Sequence, residues 1–448
     1  MKKKMIFILA NVLFVSFSGK KDDKDTLPNF VIIMADDLGY GDISCYGNTY
    51  INTPNIDKLA SEGIRFIDFH SNGAVCSPTR AALMTGKYQQ RTGVESVITA
   101  KNHRHVGLSL DEITIAEELK KYNYNCGMYG KWHLGYSKEY NPTLQGFDDY
   151  SGFVSGNIDY NAHIDQEGYL DWWKGTNIDN EEGYSTDLIT KKGVRFIQEN
   201  NPQKKGKPFF LYLTHEAPHS PYQRRMSKVL RENGVGTTEP IMKDSIRSIY
   251  KEMVEVMDEG IGKVIDALKE TGQYKNTIVI FLSDNGANTN GSNGDLRGYK
   301  GDVYEGGSRV PAIISYPDKI KKGMVNNQTI LTMDILPTLL DFIDKKPTGK
   351  KVDGISIKNN LLYQVNLPER AVFFAYNNRS FIRSGKWKMI HIKEQNKDRF
   401  ELYNLSIDLK ESKDVGLENP ILLNNMKEEL MKWEVDVRKG VKKVSSGG

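Results

Sequence analysis

The chain has 448 residues, 39% of them hydrophobic and 26% charged, with a formal net charge of +4. That is enough chain for one large α/β domain with a small appendage, or for two ordinary domains. The charge is too small for this size to argue for nucleic acid, and no basic stripe interleaved with aromatics is present. Three cysteines, an odd number, exclude a disulfide-stapled scaffold.

Lys2, Lys3 and Lys4, followed by the apolar run Met5 to Phe17, have the n-region and h-region of a secretory signal over residues 1–18. Ser16, Phe17 and Ser18 form a small-x-small cleavage site before Gly19. The run is shorter than the roughly 20 apolar residues a bilayer span needs, and no cysteine lies just after it to carry a lipid. The pattern predicts export, to a periplasm or outside the cell.

A charged spacer, Lys20 to Asp25, leads to a buried-type strand from Asn29 to Met34, which ends at Asp36 and Asp37. Thr53 and Pro54 open a helix that runs to Gly63. A helical period follows from Ile113 to Tyr122, then a short strand from Cys126 to Tyr129. Asp187 to Glu199 is helical, Pro208 to Leu213 a strand, Ser245 to Glu270 a long helix, and Thr277 to Leu282 another buried strand. Val310 to Ser315 is a further strand and Met333 to Phe342 a helix. Strands alternating with helices predict an α/β fold, a large mostly parallel sheet flanked by helices. The catalytic domain on this reading covers residues 27–350. Beyond the Lys/Gly/Pro-rich stretch Lys345 to Lys351, four short strands between Ala371 and Asn404 and a helix from Asn419 to Lys439 predict a small C-terminal α+β subdomain over residues 365–440.

Unusual polar residues collect at the strand ends: Asp36 and Asp37, Lys131 and His133, His215 and His219, Asp284 and Asn285. In an open α/β sheet, ligands bind beyond the carboxyl ends of the strands. Asp36, Asp37, Asp284 and Asn285 offer hard oxygen donors, which suit Ca²⁺ or Mg²⁺ rather than zinc. Three carboxylates packed together repel one another unless a cation compensates them. Singly, Asp284-Asn285-Gly286 is also good turn sequence. Arg80, Lys131 and Lys300 can hold an oxyanion, and His133 and His219 can move protons near neutral pH. Cys76 stands just before Ser77 and Pro78, which read as a helix entry, where the field favours an anion.

The run Cys76-Ser77-Pro78-Thr79-Arg80 resembles the Cys-x-Pro-x-Arg signature of type I sulfatases, of the arylsulfatase and N-acetylgalactosamine-sulfatase kind, within the alkaline phosphatase superfamily. Similar to that family as well are Pro28 to Gly41, Gly130 to Gly135, Ala217 to Pro221, Ser283 to Gly286, Lys300 to Gly307, and Leu402 to Leu405 with Glu411. The resemblance implies that Cys76 is converted to 3-oxoalanine (formylglycine) by a maturating enzyme. It implies one Ca²⁺ on Asp36, Asp37, Asp284, Asn285 and the modified Cys76. It also implies that Arg80 orients the aldehyde hydrate and that Lys131, His133, His219 and Lys300 surround the sulfate, His219 with Lys300 as acid and His133 as base. Spacing to Pro221 favours His219 over His215. The expected reaction is hydrolysis of a sulfate monoester. A phosphomonoesterase or phosphodiesterase of the same superfamily is the alternative, though such enzymes typically use Ser or Thr and two zinc ions.

The insert from Gly146 to Gly183 carries Asp159, Tyr160, His163, Asp165, Trp172 and Trp173. Aromatic faces beside polar donors and acceptors suit a sugar ring, so Asp159, His163 and Trp172 are expected to bind substrate, a sulfated carbohydrate of galactose or N-acetylgalactosamine type. A loop held by its own aromatic packing would read the same way.

Overall fold

The computed structural model describes residues 27–235 and 243–444; the expected signal segment lies outside them. Sixteen strands follow in chain order: β1 (Asn29–Ala35), β2 (Ile64–Phe66), β3 (Phe69–His70), β4 (Asn125–Lys131), β5 (Asp149–Phe153), β6 (Trp173–Lys174), β7 (Asn177–Ile178) and β8 (Phe209–Thr214). Then come β9 (Thr277–Ser283), β10 (Ala312–Ser315), β11 (Met324–Asn326), β12 (Ile330–Leu331), β13 (Ala371–Tyr376), β14 (Arg379–Ser384), β15 (Trp387–Ile392) and β16 (Arg399–Asn404).

Ten of them make one sheet in the order β11-β2-β10-β9-β1-β8-β4-β5-β6-β7. Its centre, β9-β1-β8-β4-β5, is parallel. Towards the edges the sheet turns mixed: β10 runs antiparallel to both β9 and β2, and β6 and β7 are antiparallel hairpin strands. The parallel centre follows from the composition. β1, β8 and β9 are buried at every position, as strands covered on both faces must be. One face packs on the helices Ser185–Glu199 and Lys243–Glu270, the other on Cys76–Thr85 and Ile335–Phe342.

The C-terminal strands β13-β14-β15-β16 form an antiparallel meander, against which the helix Pro420–Arg438 packs through Met426, Leu430, Trp433 and Val437. This apolar cluster includes Ala82, Tyr88, Leu331 and Met333 of the large domain, so the two parts share a core.

Candidate active site

Four neighbouring parallel strands, β9, β1, β8 and β4, end at the same level, with Ala35 opposite Ser283 and Met34 and Gly130 both opposite Thr214. The residues that follow each end therefore meet. Gly130 makes this approach possible: at φ +110 a Cβ there would lie 2.1 Å from the Thr214 carbonyl oxygen. Gly286 does the same for the loop carrying Lys300, since a Cβ on it would lie 1.8 Å from the Gly306 oxygen.

Cys76 is the first residue of the helix Cys76–Thr85, one position earlier than the Ser77-Pro78 entry suggested. No side chain caps this helix; Ser77 Oγ instead accepts the Ile98 N–H at 3.1 Å. Pro78 falls in the first turn, where its missing N–H costs nothing. Cys76 is buried, and its Sγ lies 3.4 Å from Asp36 Oδ1 and 3.4 Å from Lys300 Nζ.

Each of the three carboxylates is matched by a cation. Lys131 Nζ donates to Asp36 Oδ2 at 2.5 Å, and Lys300 Nζ lies 2.7 Å from Asp37 Oδ1. Arg80 Nε and Nη2 both donate to Asp284 Oδ2, at 3.1 and 2.8 Å, while its Nη1 donates to the Lys131 carbonyl at 2.9 Å. Asn285 Nδ2 donates to Asp37 Oδ1 at 2.8 Å. Burial works to raise the Asp37 pKa, but the Lys300 ammonium and His219 outweigh it and hold the carboxyl below the usual range. Burial and the neighbouring Asp36 carboxylate push Asp284 up. Burial, with Asp36, pushes the Cys76 thiol up to about 12, so the thiol itself is no nucleophile.

The donor set fits a hard divalent cation. Asn285 Oδ1 is buried without a hydrogen-bond partner, and ligand atoms of Asp36, Asp37, Cys76 and His219 lie within 4.8 Å of one another. Among the described residues, Asp68, His70 and Glu305 form the other such cluster, but Arg309 and Arg383 fill it. A second metal centre of the phosphatase kind has no place there.

His133 and Asp37 both adopt left-handed backbone, φ 57 and 63, conformations that non-glycine residues keep where a site demands it. The Ile98 carbonyl accepts from His133 Nε2 at 2.9 Å, which fixes the proton there and leaves Nδ1, buried and unpartnered, as an acceptor. Burial, with Lys131 and Arg80, holds its pKa well below 6.5. His219 Nδ1 donates to the Ser220 carbonyl at 2.5 Å, and its Nε2 lies 3.6 Å from Asp37 Oδ2. Burial is the main reason its pKa falls to about 3. His215 is fully buried, with neither ring nitrogen partnered. Lys300 and His219, their side chains 20% and 11% exposed, are the members that reach solvent.

The three residues expected to bind sugar are turned inward. Asp159 is fully buried, accepting N–H groups of Ala162 at 2.8 Å and Arg231 at 3.1 Å and the Gln223 amide at 3.1 Å. His163 donates to the Gly183 carbonyl at 2.9 Å and stacks on Trp172 at 4.4 Å; Trp172, also fully buried, donates to Glu181. The insert is held by its own aromatic stacking of His163 on Trp172 and by Asp159, which ties it to Gln223 and Arg231. The sequence did not reveal Asn288, whose Nδ2 donates to Asp37 Oδ2 at 3.3 Å, nor the Ile98 carbonyl that sets the His133 tautomer. Neither carries a spacing signal.

The Sulfatase family profile matches residues 28–345, and the profile of the N-sulphoglucosamine sulphohydrolase C-terminal region matches 299–436. N-acetylgalactosamine-6-sulfatase of Mus musculus is 32% identical over 385 residues, 81% of this chain and 71% of the relative. Arylsulfatase A of Homo sapiens is 31% identical, covering 81% and 74%. The solved structure of Ps i-CgsB in complex with k-i-k-neocarrahexaose superposes with a TM-score of 0.82 at 30% identity, covering 94% of each chain. BT4656 in complex with D-glucosamine-2-N,6-O-disulfate shares the fold, TM-score 0.72 at 22% identity, over 94% of this chain and all of that one. A profile match that spans every strand end of the site, with relatives this similar over four-fifths of the chain, makes this protein a member of the sulfatase family and a sulfuric ester hydrolase.

Proposed function

We propose that the enzyme is exported and removes sulfate from a sulfated carbohydrate of galactose or N-acetylgalactosamine type, using Cys76 converted to formylglycine and one Ca²⁺. The observation that carries this reading is the setting of Cys76 Sγ, at 3.4 Å from both an Asp36 oxygen and the Lys300 ammonium, at the meeting point of four strand ends. Asp36, Asp37, Asp284 and Asn285, with the oxygen that conversion places on residue 76, would hold the ion. The aldehyde hydrate supplies a nucleophile that can also expel sulfate, and the cation supplies positive charge for the sulfonate oxygens.

The remaining work falls to this chain's own side chains. Lys131 and Lys300 add positive charge beside residue 76, without which an anionic ester repels a nucleophile. Arg80, locked on Asp284 and the Lys131 carbonyl, keeps the floor of the site rigid. His133, deep in the site with Nδ1 free, accepts a proton. Lys300 and His219, at the solvent side, face the departing alcohol and give it one. Lys300 is protonated at any working pH, because Asp37 and the surrounding negative groups outweigh its burial and hold its pKa well above 10.5. His219 takes up its proton only against a bound ester, whose negative charge opposes the burial that holds it neutral.

The substrate class is supported by the N-acetylgalactosamine-6-sulfatase relatives and by the k-i-k-neocarrahexaose held by Ps i-CgsB. Export rests on the sequence of residues 1–18; among the described residues no helix is long and apolar enough to cross a membrane. Two measurements test the reading. In protein made with a maturating enzyme, the Cys76 tryptic peptide should be about 18 Da lighter than the cysteine form. That protein should release sulfate from at least one of a set of galactose and N-acetylgalactosamine saccharides sulfated at each ring position in turn. A converted protein that desulfates aryl esters but none of these sugars overturns the substrate class.

A further inference from the structure

A half-exposed arginine lies over two tyrosine rings near His133. The chain leaves Ile98, whose carbonyl holds His133, and forms the short helix Ala100–His103, on which Arg104 follows. The Arg104 guanidinium carbon lies 5.4 Å from the Tyr136 ring centre and 4.6 Å from that of Tyr169. Tyr136 follows His133 by three residues, and its hydroxyl accepts from the Gly156 N–H at 3.3 Å. A Cβ on Gly156 would lie 3.0 Å from His133 Cε1. Tyr136 and Gly156 thus link the arginine to the imidazole.

The stack is rigid. Asp165, 2% exposed, accepts Arg104 Nη2 at 2.8 Å and the backbone N–H groups of Glu167 and Tyr169 at 2.8 and 3.0 Å, and its own N–H donates to the Tyr169 carbonyl at 2.8 Å. Yet the Tyr169 ring, 60% exposed, and the Arg104 side chain, 43% exposed, face solvent. An arginine carries five N–H donors and Asp165 takes one, so the exposed edge of the fork has donors to give. Nearby formal charges balance, Lys101 and Arg104 against Asp165 and Glu167, so the surface is a hydrogen-bonding and stacking platform rather than a simple cationic patch.

We propose that Tyr169 and Arg104 form a subsite for the sugar residue next to the one being desulfated. The ring face of that pyranose lies on Tyr169, and one acceptor oxygen, whether hydroxyl, carboxylate or sulfate, sits on the Arg104 fork. This rests on the reading of the substrate as a sulfated carbohydrate and adds that the enzyme recognises an oligosaccharide. Preordered aromatic and arginine groups of this kind carry most of the affinity in binding surfaces.

Calorimetric binding to the full chain with Cys76 unconverted, so that turnover does not interfere, tests it. The probes are iota-carrageenan and chondroitin 6-sulfate oligosaccharides of two, four and six sugars, whose flanking acceptors are sulfate in one and carboxylate in the other. The wild type should bind tetrasaccharides at least tenfold more tightly than disaccharides in at least one series. Tyr169→Ala and Arg104→Ala should each erase about tenfold of that gain. Arg104→Lys, keeping charge without the fork, should restore only part of it. Tyr363→Ala, an exposed tyrosine elsewhere, should leave the gain intact. In the converted enzyme the same losses should appear in KM for tetrasaccharides, with kcat held within about twofold. Absence of a length-dependent gain in both series, or a gain that survives both alanine substitutions, overturns the subsite. Failure of converted enzyme to release sulfate from any ester overturns the catalytic reading instead, and leaves the binding result to stand by itself.

Discussion

Arg383 grips Asp68 fork to fork, its Nη1 and Nη2 donating to the two carboxylate oxygens at 2.7 and 2.6 Å across 315 residues of sequence. Arg383 belongs to β14 of the C-terminal sheet; Asp68 stands just before β3, from which the chain runs to Cys76. Arg309 Nη2 joins the same carboxylate at 2.8 Å, and Lys388 Nζ lies 2.9 Å from Glu305 Oε1 and 2.8 Å from Glu411 Oε1. Three cations and three carboxylates, all buried, thus tie the C-terminal subdomain to the segments that carry Cys76 and Lys300. The subdomain acts as a brace for the active site.

Arg383→Ala should therefore destabilise the enzyme by about 3–5 kcal/mol, because Asp68 would lose its fork while staying buried. The sign with pH is definite. Burial works to raise the Asp68 pKa, but His70, Arg383 and Arg309 outweigh it and hold the carboxyl well below 3.8. A depressed carboxylate contributes stability above its unfolded value, about 3.9, and loses it as pH falls towards the folded value. In urea melts, the gap between wild type and variant should narrow from pH 5 to pH 3. A gap independent of pH would show that Asp68 is not the group involved.

Cys76→Ala and Cys76→Ser should both lose sulfate release while keeping a cooperative thermal transition near that of the wild type. The side chain is small, and neither alanine nor serine can form the aldehyde. Turnover by Cys76→Ala at the wild-type rate would end the formylglycine reading.

Calcium should raise the Tm of the wild type, by an amount that grows with concentration; at 100 times Kd the gain is about 2.7 kcal/mol. Asp37→Asn should weaken that response, since it removes one of three crowded carboxylates. Thermal scans with calcium and with chelator decide the matter, and identical midpoints would mean that these residues only form turns and ion pairs.

His133 should be neutral through most of the working range, since burial, Lys131 and Arg80 depress its pKa and a bound cation would depress it further. The acid limb of the pH–rate profile should accordingly lie below pH 6.5, with no alkaline limb from Lys300 below about pH 10. A limb centred at the ordinary histidine value would remove His133 as the base.

His219→Ala should harm sugar sulfates by about 10²- to 10⁴-fold and nitrophenyl sulfate much less, because a nitrophenolate leaves without a proton. His133→Ala should slow both where sulfate release limits turnover. Equal losses on both esters for His219→Ala would leave Lys300 as the sole donor.

The sequence by itself determined the elements and the chemistry at their ends. Continuous apolar runs such as Phe30 to Ala35 and Ile278 to Leu282 read as strands buried on both faces, and Asp36 and Asp284 follow these strands directly. The meander from Ala371 to Asn404 was legible for the same reason, as short strands punctuated by turns. Local period sets where a strand stops, and therefore where its polar successor stands.

Only the tertiary structure decided which polar groups serve the site and which serve the fold. Asp159, His163 and Trp172 read like sugar ligands, yet each is buried against protein groups, His163 on the Gly183 carbonyl, Trp172 on Glu181 and Asp159 on Gln223 and the Arg231 N–H, since a loop rich in donors and acceptors looks the same whichever way it faces. The antiparallel β10 between β9 and β2 breaks the parallel pattern without any change in apolar period. The His133 tautomer, the Arg104 stack and the Arg383–Asp68 brace depend on residues brought together from distant segments. Residue periodicity records how a segment is buried; it does not record what it is buried against.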